Sequence, residues 1–123
     1  MRKAKIAQLF LLFTGLPSAA EWDDLIDAAM SKVHGMLRAD ADPADIRLCY
    51  LAAAAANLQY RQIVSARAAA APTYAGDTGA RRDNSSQCSL AERLFLDYKA
   101  AAAPLLCDDA FIFQTIPEAG RCT

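Results

Sequence analysis

The sequence predicts a mainly α fold, a small antiparallel bundle of about four helices with a minor β element. Three observations predict it. Alanine, the strongest intrinsic helix former, makes up roughly a fifth of the 123 residues. Apolar residues recur at i, i+3, i+4 and i+7 in several windows. Five Gly and five Pro leave room for few turns. The chain has the length of one domain, and 54% hydrophobic against 22% charged residues exclude a disordered tail. Thirteen Lys+Arg against fourteen Asp+Glu give a net charge of -1, so no global positive field exists to grip phosphate backbones.

The first twenty residues imitate a secretory signal: Arg2, Lys3 and Lys5, then an apolar stretch from Ile6 to Leu16, then Pro17-Ser18-Ala19-Ala20. The same residues fit a short amphipathic helix, with Ile6, Leu9, Phe10 and Phe13 on one face and Lys3, Lys5 and Gln8 away from it. Ser18 and Glu21 form the capping box of the next helix, which cleavage at this point would damage. The helical reading is preferred, and the apolar stretch is too short to span a bilayer.

The second helix runs from that box to about Arg38, with Trp22, Leu25, Ile26, Ala29, Val33, Met36 and Leu37 as its stripe. Glu21, Asp23 and Asp24 imitate a metal or catalytic cluster, but their place in a first helical turn is explained by the helix dipole. Asp42 as N-cap and Pro43 at the first position open a third helix, reaching about Ala68. It is apolar almost all round, which places it at the centre of the bundle. The run Ala52 to Ala56 either admits a close neighbour or is high-propensity filler.

Residues 71–88 are rich in turn formers: Pro72, Gly76, Asp77, Gly79, Asn84, Ser85 and Ser86. They predict an extended arm, with Gly76-Asp77 able to tip a small hairpin between Tyr74 and Arg81-Arg82. Ser89 and Glu92 repeat the capping box and open the fourth helix, whose inner stripe is Leu90, Leu94, Tyr98, Ala101 and Leu105 with Phe95 flanking. Pro104 ends or kinks it near Ala103. In the tail, 108–123, Phe111-Ile112-Phe113-Gln114-Thr115-Ile116 is a run of β-formers bounded by Asp109 and Pro117. A lone strand leaves backbone groups unpaired, so this one needs a partner, either the arm within one subunit or an edge on a neighbour.

Motifs for catalysis are lacking. The sequence has no phosphate-cradling Gly loop, no G-x-S-x-G and no H-E-x-x-H, and nothing supports an enzyme or calls for a cofactor. His34, the only imidazole, is expected as a partly exposed helix-end residue. Cys49, Cys88, Cys107 and Cys122 form no C-x-x-C pair, which argues against zinc and favours four reduced thiols.

The order of parts resembles the head–tail connector (adaptor, or head-completion) proteins of tailed bacteriophages and prophages. The resemblance rests on a short first helix and on the acidic capped helix Trp22-Asp23-Asp24-Leu25-Ile26-Asp27-Ala28-Ala29. The long Ala-rich helix ending Tyr60-Arg61-Gln62, the arm Tyr74-Ala75-Gly76-Asp77-Thr78, the helix Ser89 to Leu106 and the closing Asp108-Asp109-Ala110-Phe111-Ile112-Phe113 complete it. Four Cys and the high Ala content depart from the family. The resemblance implies a structural virion protein, made in the bacterial cytoplasm. It would form a homo-oligomeric ring under the portal protein, extend the DNA channel without binding DNA specifically, and dock a tail-side connector. It assigns Tyr74, Gly76, Asp77, Thr78, Arg81 and Arg82 to subunit contact, and Phe111, Ile112, Phe113 and Ile116 to subunit or portal contact. The competing readings are a small secreted helical protein with two disulfides and a helical protein-binding or regulatory module.

Overall fold

The computed structural model describes residues 1–70 and 77–107, with the backbone alone for 77–83. Its four α-helices are α1 (Lys3–Thr14), α2 (Asp23–Met36), α3 (Ile46–Ala70) and α4 (Asp77–Ala101). Short 3-10 turns precede α2 at Ala20–Trp22 and follow α4 at Ala103–Leu105. The expected helical bundle is present. No described helix is long and apolar enough to cross a membrane.

The centre is α3, against which α1, α2 and α4 all pack. Leu48, Cys49 and every residue from Leu51 to Asn57 are buried, as a helix with neighbours on all sides requires. Ile6 and Phe10 from α1, Ile26 and Val33 from α2, and Leu48 and Leu51 from α3 are fully enclosed. Within the apolar stretch that imitates a signal sequence, Ile6, Leu9 and Phe10 form the buried face of α1, while Leu12 is 73% exposed. Aromatic rings fill the seams around α3: Tyr60 meets Phe10 edge-on at 5.9 Å and Trp22 edge-on at 4.8 Å. Tyr98 stacks between Phe13 and Tyr50 at 5.9 and 5.3 Å.

The helix starts differ from the sequence expectation. Ser18 Oγ accepts from the Ala20 N–H at 3.2 Å, opening the 3-10 turn, so the α-helix begins only at Asp23. Asp42 Oδ1 accepts from the Ala44 N–H and makes a turn, while Asp45 Oδ1 accepts from the Arg47 N–H and caps α3. Pro43 thus lies before the helix instead of at its first position.

Two corrections concern α4. It is helical from Asp77, so 77–88 is helix where an arm with a hairpin at Gly76-Asp77 was expected. The helix runs through Gly79, Asn84, Ser85 and Ser86 in spite of their low intrinsic propensity, and it packs along α3, with Asn84 and Cys88 half-buried. Its inner stripe holds in part: Tyr98, Leu105 and the flanking Phe95 pack against the core and Leu94 is half-buried, but the stripe departs at Leu90 and Ala101. Ala91 and Ala102 are buried at 3% and 0% exposed, with Cys88, Phe95 and Tyr98 half-buried, while Leu90 is 62% exposed and Ala101 also faces solvent. The alanine tract of α3 has no bulk to fill a wide gap, so small residues of α4 take the contact positions and leucine is left outside.

A single antiparallel β-bridge joins Leu37 to Leu106, with Cys107 N–H donating to the Met36 carbonyl at 2.8 Å and Arg38 N–H to the Leu105 carbonyl at 3.0 Å. It is the only β pairing among the described residues. The expected strand at Phe111 to Ile116 lies outside them. Cys49 and Cys88 are free thiols, but Cys107 is disulfide-bonded, which corrects the reading of four reduced thiols. Cys122 lies outside the described residues.

The register of α4 has a direct test by urea denaturation. Ala91→Leu should destabilise the protein by roughly 1–3 kcal/mol through overpacking, while Leu90→Ala should stay within about 0.5 kcal/mol. Reversed magnitudes would mean that the leucine stripe faces α3. Phe10→Ala, which opens a cavity under Tyr60, should cost about 3–5 kcal/mol in the same assay.

Candidate functional site

Charged groups on the described surface are arranged for structure. Asp23, Asp24 and Asp27 bring carboxylate oxygens within 4.8 Å of one another, all exposed, at the start of α2. Lys3 from α1 reaches across, its Nζ 2.9 Å from Asp23 Oδ1 and 2.9 Å from Asp27 Oδ1. Those hydrogen bonds, the one to Asp27 foremost, raise the Lys3 pKa above its ordinary value. The cluster is a first-turn acidic patch clamped by a lysine, which serves the helix dipole and fastens α1 to α2.

His34 is exposed near the end of α2. Asp45 and Arg47 form a second pair, with Arg47 Nη2 2.9 Å from Asp45 Oδ2 and Nε 3.1 Å from Oδ1. The Arg47 side chain, joined by its backbone N–H, holds the Asp45 carboxyl down at about 2. Because that value lies below the ordinary carboxylate range, the pair's contribution is complete above pH 4 and fades as the pH falls through about 2. In a carboxyl-detected NMR titration Asp45 should turn over near pH 2, and Arg47→Gln should move that midpoint up towards the ordinary 3.8.

The sequence-predicted contact residues divide. Tyr74, Gly76, Phe111, Ile112, Phe113 and Ile116 lie outside the described residues. Asp77, Thr78, Arg81 and Arg82 occupy the first turns of α4. They sit at the end where α3 and α4 extend furthest. No residue from Leu58 to Ala70 on α3 is buried, nor is any from Asn84 to Leu90 on α4. Leu58, Ile63 and Val64 are only half-covered there, and Leu90 is largely exposed.

A groove opens at the root of this pair of helices. Phe13 of α1, Asn57 and Arg61 of α3, and Gln87, Leu90, Ala91 and Leu94 of α4 enclose about 130 Å³. Asn57 is 4% exposed, and its side-chain oxygen is buried with no hydrogen-bond partner. Arg61 lies beside it, with Nη2 3.4 Å from the carbonyl oxygens of Phe13 and Thr14 at the end of α1, and its guanidinium over the Tyr60 ring at 5.3 Å. Gly15, at φ 76°, closes α1 by donating to the Leu11 carbonyl at 2.8 Å. Arg61 thus serves carbonyls that the helix end leaves unmatched, and no described carboxylate pairs with it.

The sequence reading passed over this groove, although it carries one signal of it. Asn57 is the single polar side chain in the run from Leu51 to Leu58 of a helix apolar almost all round. A buried amide without a partner is uncommon enough to ask for a reason. No family model, curated protein or solved structure matches the chain.

Proposed function

We propose that the chain is a structural assembly protein: a subunit of the ring at the head–tail junction of a tailed phage or prophage, as its resemblance to the connector proteins implies. The ring extends the portal channel and presents a docking surface to the next connector or the tail. One observation carries the assembly part of this reading. Two 25-residue helices run side by side, and among the described side chains none is buried from residue 58 to 70 on α3 or from 84 to 90 on α4, while Leu58, Ile63 and Val64 are half-covered and Leu90 is exposed. A single subunit has no use for that much unfinished surface. Repeated contacts that close into a ring finish it.

Charge supports the same reading. The net charge of -1 and the cation pairs at Asp23, Asp27 and Asp45 leave little to hold DNA as it passes. Asp77, Thr78, Arg81 and Arg82, now placed on a helix, serve as subunit contacts together with Tyr74 and Gly76. Phe111, Ile112, Phe113 and Ile116 serve the subunit or portal. The free thiols of Cys49 and Cys88 weigh against a secreted scaffold built on two disulfides.

The test is sedimentation velocity and negative-stain electron microscopy of the full chain, alone and with the portal ring of the phage or prophage that carries it. Ring-sized assemblies, alone or on the tail-side face of the portal, are expected, and Arg81→Glu with Arg82→Glu should abolish them while leaving the helical circular dichroism intact. A chain that stays monomeric in both mixtures would overturn the proposal.

A further inference from the structure

The groove at the root of α3 and α4 has the chemistry of a binding site. Asn57 and Arg61 stand four residues apart on α3, so they are neighbours on one helix face, with Cβ atoms about 5–6 Å apart. Asn57 holds a buried acceptor without a donor. Arg61 holds donors that its 3.4 Å contacts to the α1 carbonyls leave in excess. Phe13, Leu90 and Leu94 supply apolar walls, and since Asn57 Oδ1 is closed to solvent, a ligand reaches it only where a wall yields, for which Leu90, 62% exposed, is the least enclosed of the three.

We propose that this groove binds a primary carboxamide. Such a group presents an N–H and a carbonyl oxygen side by side, so it donates to Asn57 Oδ1 while it accepts from the Arg61 guanidinium. A main-chain peptide unit carries the two on opposite sides and cannot serve both neighbours at once. A carboxylate would suit Arg61 but set a second oxygen against Asn57 Oδ1. The 130 Å³ enclosed is room for one small amide and its adjoining methylenes. The source is either a free small amide or an Asn or Gln side chain of a second copy of this chain, on which Gln8, Gln59 and Gln62 are exposed. Retaining an unmatched polar group in the core lowers stability, and binding gives that group a purpose.

The experiment is a ¹H–¹⁵N titration of the full chain with propionamide, sodium propionate and N,N-dimethylpropionamide. Propionamide should give saturable shifts, in the millimolar range expected of so small a ligand, at the Asn57 side-chain amide and Arg61 Nε. The dimethyl amide lacks the donor and should bind about tenfold more weakly, the factor that one unmade hydrogen bond carries. Asn57→Leu should raise the melting temperature and abolish the response. Leu90→Trp, on the exposed rim, should block it without touching the core. A dilution series without ligand separates the sources: the same resonances move with protein concentration only where a second copy supplies the amide. A groove holding exchanging water alone would show no saturable shift. That result, tighter binding of propionate, or a response surviving both variants would overturn the proposal.

Discussion

The structure depends on the close approach of α4 to the alanine tract of α3. Ala52, Ala53, Ala54 and Ala56 are completely enclosed, Ala91 faces inward from α4, and Ala102 is buried just after its end. Small side chains on both partners let the two backbones come near, and dispersion between many well-matched atoms replaces the bulk of a leucine core. This sets the place of everything else. The aromatic residues stand beside the alanine contact: Tyr50 of α3 stacks on Tyr98 of α4, and Phe10, Trp22 and Tyr60 lock α1 and the turn before α2 onto the other side of α3. Tyr98, flanked by Phe13 and Tyr50, ties α4 to α1, although the two helices have no close backbone approach.

The two ends of the bundle are finished differently. At one end the residues after α2 and those after α4 form a clasp: the Leu37–Leu106 bridge is reinforced by Arg38 Nε donating to the Leu106 carbonyl at 2.7 Å. Helix ends leave carbonyls and N–H groups without partners, and this short antiparallel contact satisfies several of them together. Nearby, the N-terminal ammonium donates to the Pro43 carbonyl and draws the start of α1 to the connector before α3. The opposite end, beyond Asn57 and Ala91, has no comparable closure among the described residues. The clasp thus fastens one end, while half-covered apolar side chains of α3 and the exposed Leu90 stand toward the other.

Much of this was legible in the sequence, and what was not has physical causes. The buried faces of α1 and α2 follow from large apolar residues at helical spacing, so Ile6, Leu9, Phe10, Ile26, Ala29 and Val33 fall where periodicity puts them. The centrality of α3 follows from its apolar circumference. The face of α4 does not, because periodicity weighs Leu90 and Leu94 above Ala91 and Ala102, whereas close packing reverses that order. The helical turns from Asp77 to Gln87 are equally hidden. Gly79 and the Asn84-Ser85-Ser86 run favour turns when considered locally, yet the helix runs through them and packs along α3. The cap of α3 was ambiguous between Asp42 and Asp45, and the Arg47 guanidinium decides it by pairing with Asp45. The groove was the least visible, since it joins residues from three helices and only Asn57 breaks the sequence pattern.

The cations bear on what the surface can do. Lys32 lies over the Phe95 ring at 5.2 Å, Arg61 over Tyr60 at 5.3 Å and Arg67 over Trp22 at 5.5 Å. Each is drawn along the flank of the protein's own aromatic seam, and Lys3 and Arg47 are held by carboxylates. A phosphate-binding face needs its cations convergent and free to reach outward. These five described cations are spread over different flanks and lie against the protein's own rings and acids. What remains for recognition among the described residues is shape, exposed apolar side chains and the unmatched amide of Asn57, beside the charged contacts proposed at Asp77, Arg81 and Arg82.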